Sequence, residues 1–469
     1  MNPILNVISA LGIAALCAIA WLGSENRRII PWKTILFGIT LQLIIGLLVF
    51  VLPTRELIAQ LNNALNVLLD ASEAGARFLF GGGSSSFVPD PNRVVGPGPA
   101  GRWITRAVGQ AYAAIPGDKI GSDNMNPGYI FAFRALPQIV FFSALVALLY
   151  RLNVIQPIVM VFAKIFQKTM KISGAESLSG AANIFVGIES AIAVKPFLAK
   201  MTRSELCAIL TSCFGSIASS VLGLYAGFLR PVFPSIAGHL VSASIITIPA
   251  CFVISKLLVP ETGVPETMGK IPEEPKEDPE KRPNPMDSTI VGALDGVKMA
   301  VGIAAVIIAI LGIVALVNSL FDALAGLPEP LGSAFQVVSL ENIMGALFLP
   351  LTVLTGGSLD INEIWQVSTI IGRRVFETSI PPYITLAGLS DSGAISDRAM
   401  LITSYVLCGF THFASYGIFV GGLSSLIPER RSEVSSLGVK ALWGATLATI
   451  MTGCIAGLFD FGNPVVLGR

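Results

Sequence analysis

Residues 401–422 read LITSYVLCGFTHFASYGIFVGG, an apolar run whose centre, GFTHFAS at 409–415, is polar and starts with glycine. An apolar segment of about 20 residues predicts a transmembrane helix. Its polar centre predicts that this helix unwinds midway. Unwound backbone is tolerated in a bilayer only where it lines a cavity or coordinates a ligand, because lipid offers its N–H and C=O groups no partner.

The first half of the chain repeats this pattern. Residues 206–223, LCAILTSCFGSIASSVLG, form another apolar run with a small and polar centre. A shorter, polar-broken stretch precedes each run, at 173–198 and at 370–386. Paired short and interrupted segments are typical of transporters with inverted repeats and a midplane binding site. We therefore predict two re-entrant helical hairpins that meet two broken helices.

Composition places the chain in a membrane. Of its 469 residues, 53% are hydrophobic and only 13% are charged, whereas about 25% are charged in soluble domains. We predict an all-α polytopic membrane protein with about eight transmembrane helices. The predicted spans lie near residues 4–23, 34–53, 129–151, 205–229, 232–258, 291–321, 399–427 and 436–460.

Several other classes of protein are disfavoured. The net charge of +1 gives no basic surface for nucleic acid. The six cysteines form no CxxC pair and there are only two histidines, so we expect no transition-metal site and no organic cofactor. No nucleophile–base pair, metal cluster or phosphate loop stands out within the spans, so we do not expect an enzyme. A channel is another alternative, and it would differ from a symporter by passing its solute down the gradient without requiring sodium.

The predicted spans and loops divide the chain into consecutive segments. Before the first repeat come a transmembrane hairpin of the scaffold at 1–53, an interfacial amphipathic helix at 54–80, an extracellular loop at 81–128, and the third span with a basic cytoplasmic helix at 129–171. The first re-entrant hairpin with its interrupted and following spans occupies 172–258, and a mobile Pro-rich charged cytoplasmic linker follows at 259–290. A long scaffold span lies at 291–330, and the second re-entrant hairpin with its interrupted span and the last span lies at 331–469. The two hairpins and both interrupted spans are predicted to form a transport domain.

Basic residues predict the orientation. Clusters occur at Arg27, Arg28 and Lys33, at Lys164, Lys168 and Lys171, and at Arg430, Arg431 and Lys440. The positive-inside rule assigns these turns to the cytoplasm, and alternation of the spans then puts both termini outside. The first apolar run has no positive n-region before it, so it is not expected to be a cleaved signal. We expect a multi-pass protein of a bacterial plasma membrane.

Oxygen-bearing side chains at the interrupted centres predict a cation site. Hydroxyls occur at Ser216, Ser219, Ser220, Thr411 and Ser415. Hydroxyls and freed carbonyls suit Na⁺, although small residues in one span also allow close helix packing. Two clusters in matching positions favour the site.

Two acids at membrane depth are also functional candidates. Glu189 lies in the first predicted hairpin and Glu377 in the second. A buried ionisable residue is costly and is a functional candidate by default, although a hairpin tip in water is the alternative. Arg373 and Arg374 either pair with Glu377 or flank the interface.

Three stretches resemble the concentrative nucleoside transporter family. Residues 179–187, SGAANIFVG, are similar to the family's first-hairpin motif, and 204–221 are similar to the span behind it. Residues 407–417, LCGFTHFASYG, resemble the family block around the second break. The resemblance covers most of 129–258 and 291–460. It implies eight membrane helices, two re-entrant hairpins and a homotrimer in which each subunit carries a transport domain on a trimerisation scaffold.

The resemblance also implies the residue roles. The family's sodium site falls on Asn183, Val186, Ser216 and Ile217. Its solute contacts fall on or beside Gly187, Ile188, Glu189, Val221, Glu377, Thr378, Ser379, Phe410, His412 and Ser415. The implied function is Na⁺-coupled import of nucleosides or nucleoside-like solutes, with Na⁺ as the coupling ion, the lipid bilayer as environment and no nucleic acid partner.

This chain departs from the family pattern around the solute. Ile188 stands where the family has Gln, His412 stands where it has Asn, and Glu377 lies two positions early. Two alternatives therefore remain open. One is a symporter of the same fold for another small polar or anionic solute, which His412, Arg373 and Arg374 would suit. The other is proton-coupled nucleoside uptake through Glu189 or His412, because either can carry a proton.

Overall fold

The computed structural model describes residues 3–51, 55–80, 131–272, 284–328 and 335–468. Every regular element in these ranges is helical, which confirms the all-α prediction. The loop predicted at 81–128 lies outside the described residues.

The N-terminal part supplies apolar spans and two amphipathic helices. They are α1 (Pro3–Leu22), α2 (Trp32–Phe50), α3 (Arg55–Phe80), α4 (Phe131–Arg151) and α5 (Ile155–Met170). The amphipathic α3 buries Leu69 and Ala76 on one face. Asp70 on its other face pairs with Arg230, with Oδ1 2.7 Å from Nη1.

The first repeat contains the first hairpin and the first broken helix. Its elements are α6 (Gly174–Ala182), a 3₁₀ turn (Ile188–Val194), α7 (Lys195–Leu198), α8 (Arg203–Gly215), α9 (Ser219–Leu229) and α10 (Ile236–Leu258). Capping boxes start α6 and α8, because Ser173 pairs with Glu176 and Thr202 with Glu205 in reciprocal hydrogen bonds. Hairpin 1, residues 174–198, therefore begins at a position that the local sequence encodes.

The second repeat follows a long helix and has the same order. Its elements are α11 (Pro285–Ala325), α12 (Leu340–Leu354), α13 (Ile361–Glu377), α14 (Ile380–Asp391), α15 (Asp397–Val406), α16 (Phe413–Leu426) and α17 (Arg431–Phe459). Hairpin 2 runs from 361 to 391 and is longer than the predicted 370–386, because Asp360 caps α13 well before the apolar stretch begins. The short apolar helix α12 was not predicted.

Both predicted breaks are present. The first span separates into α8 and α9 at 216–218, and the second into α15 and α16 at 407–412. Within the described residues, seven helices are long and apolar enough to cross a membrane. These seven include Arg203–Leu229, taken across its break, and leave out the predicted span 399–427, because α15 and α16 are each too short to cross alone. The protein is therefore a multi-pass membrane protein.

The helices form an inner and an outer group. In α8–α9, α10 and α17, 89%, 89% and 83% of the most apolar stretch is buried inside the protein. The corresponding share is 11% in α11 and 24% in α4. α11 lies along α4, where Gly292 and Gly296 allow close approach to Ser143. Its remaining surface exposes apolar residues such as Val301 and Ile308, as expected of a face in contact with lipid or another subunit.

The N-terminal hairpin packs on the inner group. Gly38 of α2 contacts Val253 of α10, and Gly46 contacts Phe459 of α17. In α1, Gly12 contacts Leu354 and Cys454. This hairpin is predicted to belong to the scaffold, and these contacts join it to helices of the predicted transport domain.

The linker predicted to be mobile is held in its first part. Thr267 accepts the N–H of Gly174 with its carbonyl and the N–H of Ala175 with Oγ1, both at 3.0 Å. Glu261 accepts from the Thr202 hydroxyl at 2.9 Å, and Glu266 pairs with Lys200 at 3.1 Å. Mobility of the linker stays a prediction, and the groups of its first part satisfy the otherwise unpaired first turn of hairpin 1. The linker ends at Asn284, which caps α11.

Candidate functional site

The two helix breaks meet inside the protein. The backbone N–H of Phe410, in the second break, donates to the carbonyl oxygen of Phe214 in the last turn of α8 at 2.8 Å. Phe214 is fully buried, and so is Thr411 beside Phe410. This contact joins the two repeats directly where each helix leaves backbone groups unpaired.

The tip of hairpin 1 rests on the first break. The N–H of Ser219, the first residue of α9, donates to the Phe185 carbonyl at 2.9 Å. Asn183, at the C-cap of α6, lies beside Cys213 of α8, with one terminal atom of its amide 3.5 Å from Sγ. The structure therefore brings the hairpin tip to the residues around Ser216, as the sequence predicted.

Asn183 is fully buried against the backbone of its own hairpin tip. One terminal atom of its amide lies 2.8 Å from the Gly187 carbonyl oxygen and 3.1 Å from that of Val186. Its hydrogen-bond surroundings identify this atom as Nδ2, which donates to both carbonyls, while Oδ1 accepts from Ser190 Oγ at 3.0 Å.

Ser216 and Ile217 form the first break. Both are buried, and the Ser216 side-chain oxygen has no hydrogen-bond partner among the described residues. Burying an unpaired hydroxyl costs free energy. The orphaned oxygen is therefore a group for which the protein alone provides no partner.

The tip of hairpin 2 rests on the second break. Ser379 Oγ donates to the Gly409 carbonyl at 3.0 Å. Thr378, between α13 and α14, has φ +71°, which is uncommon for a residue other than glycine. Tyr383 of α14 stacks on Tyr225 of α9 at 4.4 Å between ring centroids. Hairpin 2 therefore contacts broken helices of both repeats.

The acid of hairpin 2 is paired. Glu377 is 2% exposed and forms an ion pair with Arg373, with Oε2 2.9 Å from Nη2. Arg373 also approaches Glu341 at 3.6 Å. Arg374 does not join this group, although the sequence allowed either arginine to pair with Glu377. It reaches the Val406 carbonyl at the end of α15.

His412 caps the second half of the broken helix. Its Nδ1 accepts the backbone N–H of Ser415 at 3.1 Å. Ser415 Oγ donates to the His412 carbonyl at 2.6 Å and also to that of Phe410. Because Nδ1 is an acceptor, the neutral ring carries its proton on Nε2. His412 thus fills the cap position with an acceptor, as an Asn would.

The remaining predicted site residues lie on the same elements. Gly187 ends the tip of hairpin 1 and accepts the Ser190 N–H at 3.1 Å. Val221 is buried on α9. Ile188 and Glu189 open the 3₁₀ turn, and their side chains lie outside the described part of the structure. All the predicted positions are therefore on the two hairpin tips, in the two breaks or in the first turn of the helix that follows a break.

Comparison with known proteins gives a consistent assignment. Residues 11–83 match the description "Na+ dependent nucleoside transporter N-terminus", 132–232 match "Nucleoside recognition", and 239–457 match "Na+ dependent nucleoside transporter C-terminus". An uncharacterized transporter of Haemophilus influenzae is 33% identical, with 96% of this chain and 97% of the relative covered. The chain belongs to the concentrative nucleoside transporter family.

Other members of this transporter family match along most of the chain. Sodium/nucleoside cotransporter 1 of Mus musculus is 30% identical over 96% of this chain, which spans 63% of the mouse protein. The structure of CNTnw in an inward-facing substrate-bound state is 31% identical, with a TM-score of 0.81 and 98% of both chains covered. Membership in a transporter family confirms the prediction that the protein is not an enzyme.

Some residues of the site were not selected from the sequence. Ser190 is a buried partner of Asn183, and Arg374 is buried beside the second break. Ser190 follows Glu189 in an apolar run, where a lone hydroxyl carries little signal. From the sequence, Arg374 is expected to pair with Glu377, to flank the interface or to suit an anionic solute. Its real acceptor, the Val406 carbonyl, is a backbone atom that no sequence motif marks.

Proposed function

We propose that this protein imports nucleosides across the plasma membrane by symport with Na⁺. Relatives named sodium/nucleoside cotransporter 1, from Mus musculus and Rattus norvegicus, match over 96% of the chain at 30% identity. The four segments that the function needs, two hairpin tips and two helix breaks, contact one another at Phe185, Phe214 and Gly409.

The observation that carries the proposal is the buried Ser216 Oγ at the first break, which has no hydrogen-bond partner among the described residues. Together with the Asn183 amide oxygen and the carbonyls of Val186 and Ile217, this oxygen would suit a hard cation that prefers oxygen ligands. Na⁺ would be held there by Asn183, Val186, Ser216 and the Ile217 carbonyl. Binding it would draw the tip of hairpin 1 onto the broken helix, where the solute residues of that tip begin.

The solute residues offer both donors and acceptors. Those on the second half are Glu377, Thr378, Ser379, Phe410, His412 and Ser415, and those on the first half are Gly187, Ile188, Glu189 and Val221. A nucleoside presents a diol and an apolar, hydrogen-bonding base, which suits a mixture of carboxylate, hydroxyl and aromatic groups. Glu377 lies two positions earlier than the family's Glu, and His412 caps a helix where the family has Asn. We therefore expect the solute to be held by partly different contacts than in the family.

The alternatives have less support from the contacts. An anionic solute would need a free arginine, but Arg373 is paired with Glu377 and Arg374 with the end of α15. A coupling proton on His412 would have to enter at Nδ1, which already accepts from Ser415. That protonation would break the cap of α16.

The test is uptake in proteoliposomes. Radiolabelled uridine should accumulate when an inward Na⁺ gradient is imposed and should not accumulate when choline replaces Na⁺. An inward proton gradient without Na⁺ should drive no uptake. Uptake of an organic or inorganic anion in place of uridine would reject the nucleoside assignment, and proton-driven uptake would reject Na⁺ coupling.

We also propose the orientation and assembly that the sequence predicted. The Asn6 amide donates to Leu458 and Asp460 carbonyls at 2.9 and 3.0 Å, so α1 begins where α17 ends. The positive-inside rule puts this end outside the cell. A cysteine placed at Arg28 should react with impermeant thiol reagent only from the cytoplasmic side. If the protein is a homotrimer, its measured mass in solution should be three times that of one chain. The division of each subunit into a transport domain and a scaffold is also part of this proposal.

A further inference from the structure

Arg374 is a fully buried cation without a described counter-ion. It is the bulkiest side chain among those fully buried in the described residues. Its Nη1 donates to the Val406 carbonyl, its Nη2 lies 3.3 Å from Thr449 Oγ1, and its Nε has no partner among the described residues. A guanidinium remains charged in proteins, and such a charge at membrane depth is costly. Because burying this charge costs free energy, Arg374 is a candidate for a functional role.

The acceptor of Arg374 is the end of a helix. Val406 is the last residue of α15, and the break at 407–412 follows it. The carbonyls that end a helix have no partner within it and carry a partial negative charge. The Arg374 guanidinium therefore supplies positive charge where the first half of the broken helix stops.

The first repeat makes the equivalent connection without a charged side chain. There the end of the hairpin helix α6, at Asn183, lies beside Cys213 in the last turn of α8, and α8 ends at Ser216. Asn183 and Ser216 are neutral, and the Ser216 oxygen is orphaned. In the second repeat Arg374, in the last turn of the hairpin helix α13, connects to the end of α15. In both repeats a hairpin helix connects to the end of the first half of a broken helix. The connecting side chain is a cation in the second repeat, whereas the corresponding side chains in the first repeat are neutral.

We infer that Arg374 is a tethered cation that takes the place of a coupling ion in the second repeat, so that only the first break responds to Na⁺. This inference rests on the proposed Na⁺ site at the first break. Arg374 is a positioning residue, since it acts by holding hairpin 2 on α15. Hairpin 2 then stays seated throughout the transport cycle, while the tip of hairpin 1 tightens when Na⁺ binds.

Hydrogen–deuterium exchange of the purified full-length protein in lipid nanodiscs tests this without relying on transport. In the wild type, Na⁺ in place of choline should slow amide exchange in residues 183–190 and leave 376–383 and 404–412 unchanged. Arg374→Gln should speed exchange in 376–383 and 404–412 by at least about tenfold, because a hydrogen bond from a charged donor is lost. That increase should occur in both salts.

Three further variants separate charge from shape. Arg374→Lys keeps the charge and should keep most of the protection. Thr449→Val removes the weaker acceptor and should give a smaller increase than Arg374→Gln. Lys298→Gln removes an exposed charge that pairs only with Asp295 and should change neither peptide.

Two results would overturn the inference. One is wild-type protection of 376–383 by Na⁺ to the same extent as 183–190, which needs no variant to observe. The other is a folded Arg374→Gln protein with wild-type exchange in 376–383 and 404–412. Failure of the wild type to take up uridine would reject the proposed function instead, because the exchange pattern does not depend on the solute.

Discussion

Gly409 lies so close to Gly215 that a Cβ atom built on Gly409 would be 2.7 Å from the Gly215 carbonyl oxygen. The contact joins the two broken helices, one from each repeat. Backbone atoms approach this closely only where a side chain is absent. The pair therefore fixes the distance between the two halves of the candidate site.

We expect Gly409→Ala to separate the two breaks. The added methyl meets a backbone oxygen that cannot rotate away, so Na⁺-dependent uridine uptake should fall about tenfold or more, with a loss of stability of about 1–3 kcal/mol. Uptake and thermal unfolding measure the two effects. Gly417→Ala, on α16 where an added Cβ would have no heavy atom within 4 Å, should leave both unchanged.

We expect Ser216→Ala to weaken Na⁺ binding while leaving the Na⁺-free protein as stable as the wild type. The lost hydroxyl has no partner in the described protein, so its removal leaves no protein group unpaired. The Na⁺ concentration for half-maximal uptake should rise about tenfold, as it should for Asn183→Ala. Ser212→Ala, which removes only a bond to the Ala208 carbonyl, is the matched control. An unchanged Na⁺ requirement in Ser216→Ala would contradict the site.

His412 should tolerate Asn better than Ala. Asn supplies an oxygen for the Ser415 N–H, whereas Ala leaves the start of α16 without a side-chain cap and should cost about 1 kcal/mol. Thermal unfolding of both variants measures this difference. Uptake by His412→Asn should show the same dependence on pH as the wild type between about pH 6 and 8, since the neutral ring is the form that caps the helix. A pH dependence lost in His412→Asn would restore proton coupling as a candidate.

The turn after α1 predicts a pH dependence of stability. Glu25 accepts from Arg203 at 2.9 Å and from Lys440 at 2.6 Å, and these cations, led by the Arg203 hydrogen bond, lower the pKa of Glu25 from 4.5 to about 2. A carboxyl whose pKa is lowered by folding stabilises the protein above its unfolded pKa, and this contribution disappears as the pH falls toward the folded pKa.

The wild type should therefore exceed Glu25→Gln in melting temperature by a constant amount from about pH 6 to 8. The difference should shrink as the pH falls from 4.5 toward 2, the interval between the two pKa values. A difference that persists unchanged to about pH 3 would mean that the pKa of Glu25 is not lowered by folding.

Lys256 should be a strong determinant of stability. It is 5% exposed, it pairs with Glu176 of α6 and with Glu261 at 3.3 Å, and it donates to Ser204 Oγ at 3.0 Å. Lys256→Met leaves the buried Glu176 without its cation and should cost about 3–5 kcal/mol. Adding Glu176→Gln should recover part of this loss in thermal unfolding, and a double variant that is no better than the single one would contradict the pairing.

The helices and their breaks are encoded locally in the sequence. Apolar length sets a span, a polar and glycine-containing centre sets a break, and Ser173, Thr202, Asp360 and Ser396 set the helix starts, because each of these effects acts within a few residues. The motif at 179–187 and the block at 407–417 were enough to indicate the family. The sequence also pointed to the four segments on which the candidate site lies.

Which groups meet depends on how the helices pack. In the folded protein, Glu377 forms an ion pair with Arg373, whereas Arg374 donates to the Val406 carbonyl, although the two arginines are adjacent in sequence. The first part of the linker contacts hairpin 1 through Thr267. The physical reason is that these partners are far apart in the chain and many are backbone atoms. Their pairing depends on packing and on the cost of leaving buried polar groups unpaired, and neither is visible in a local pattern.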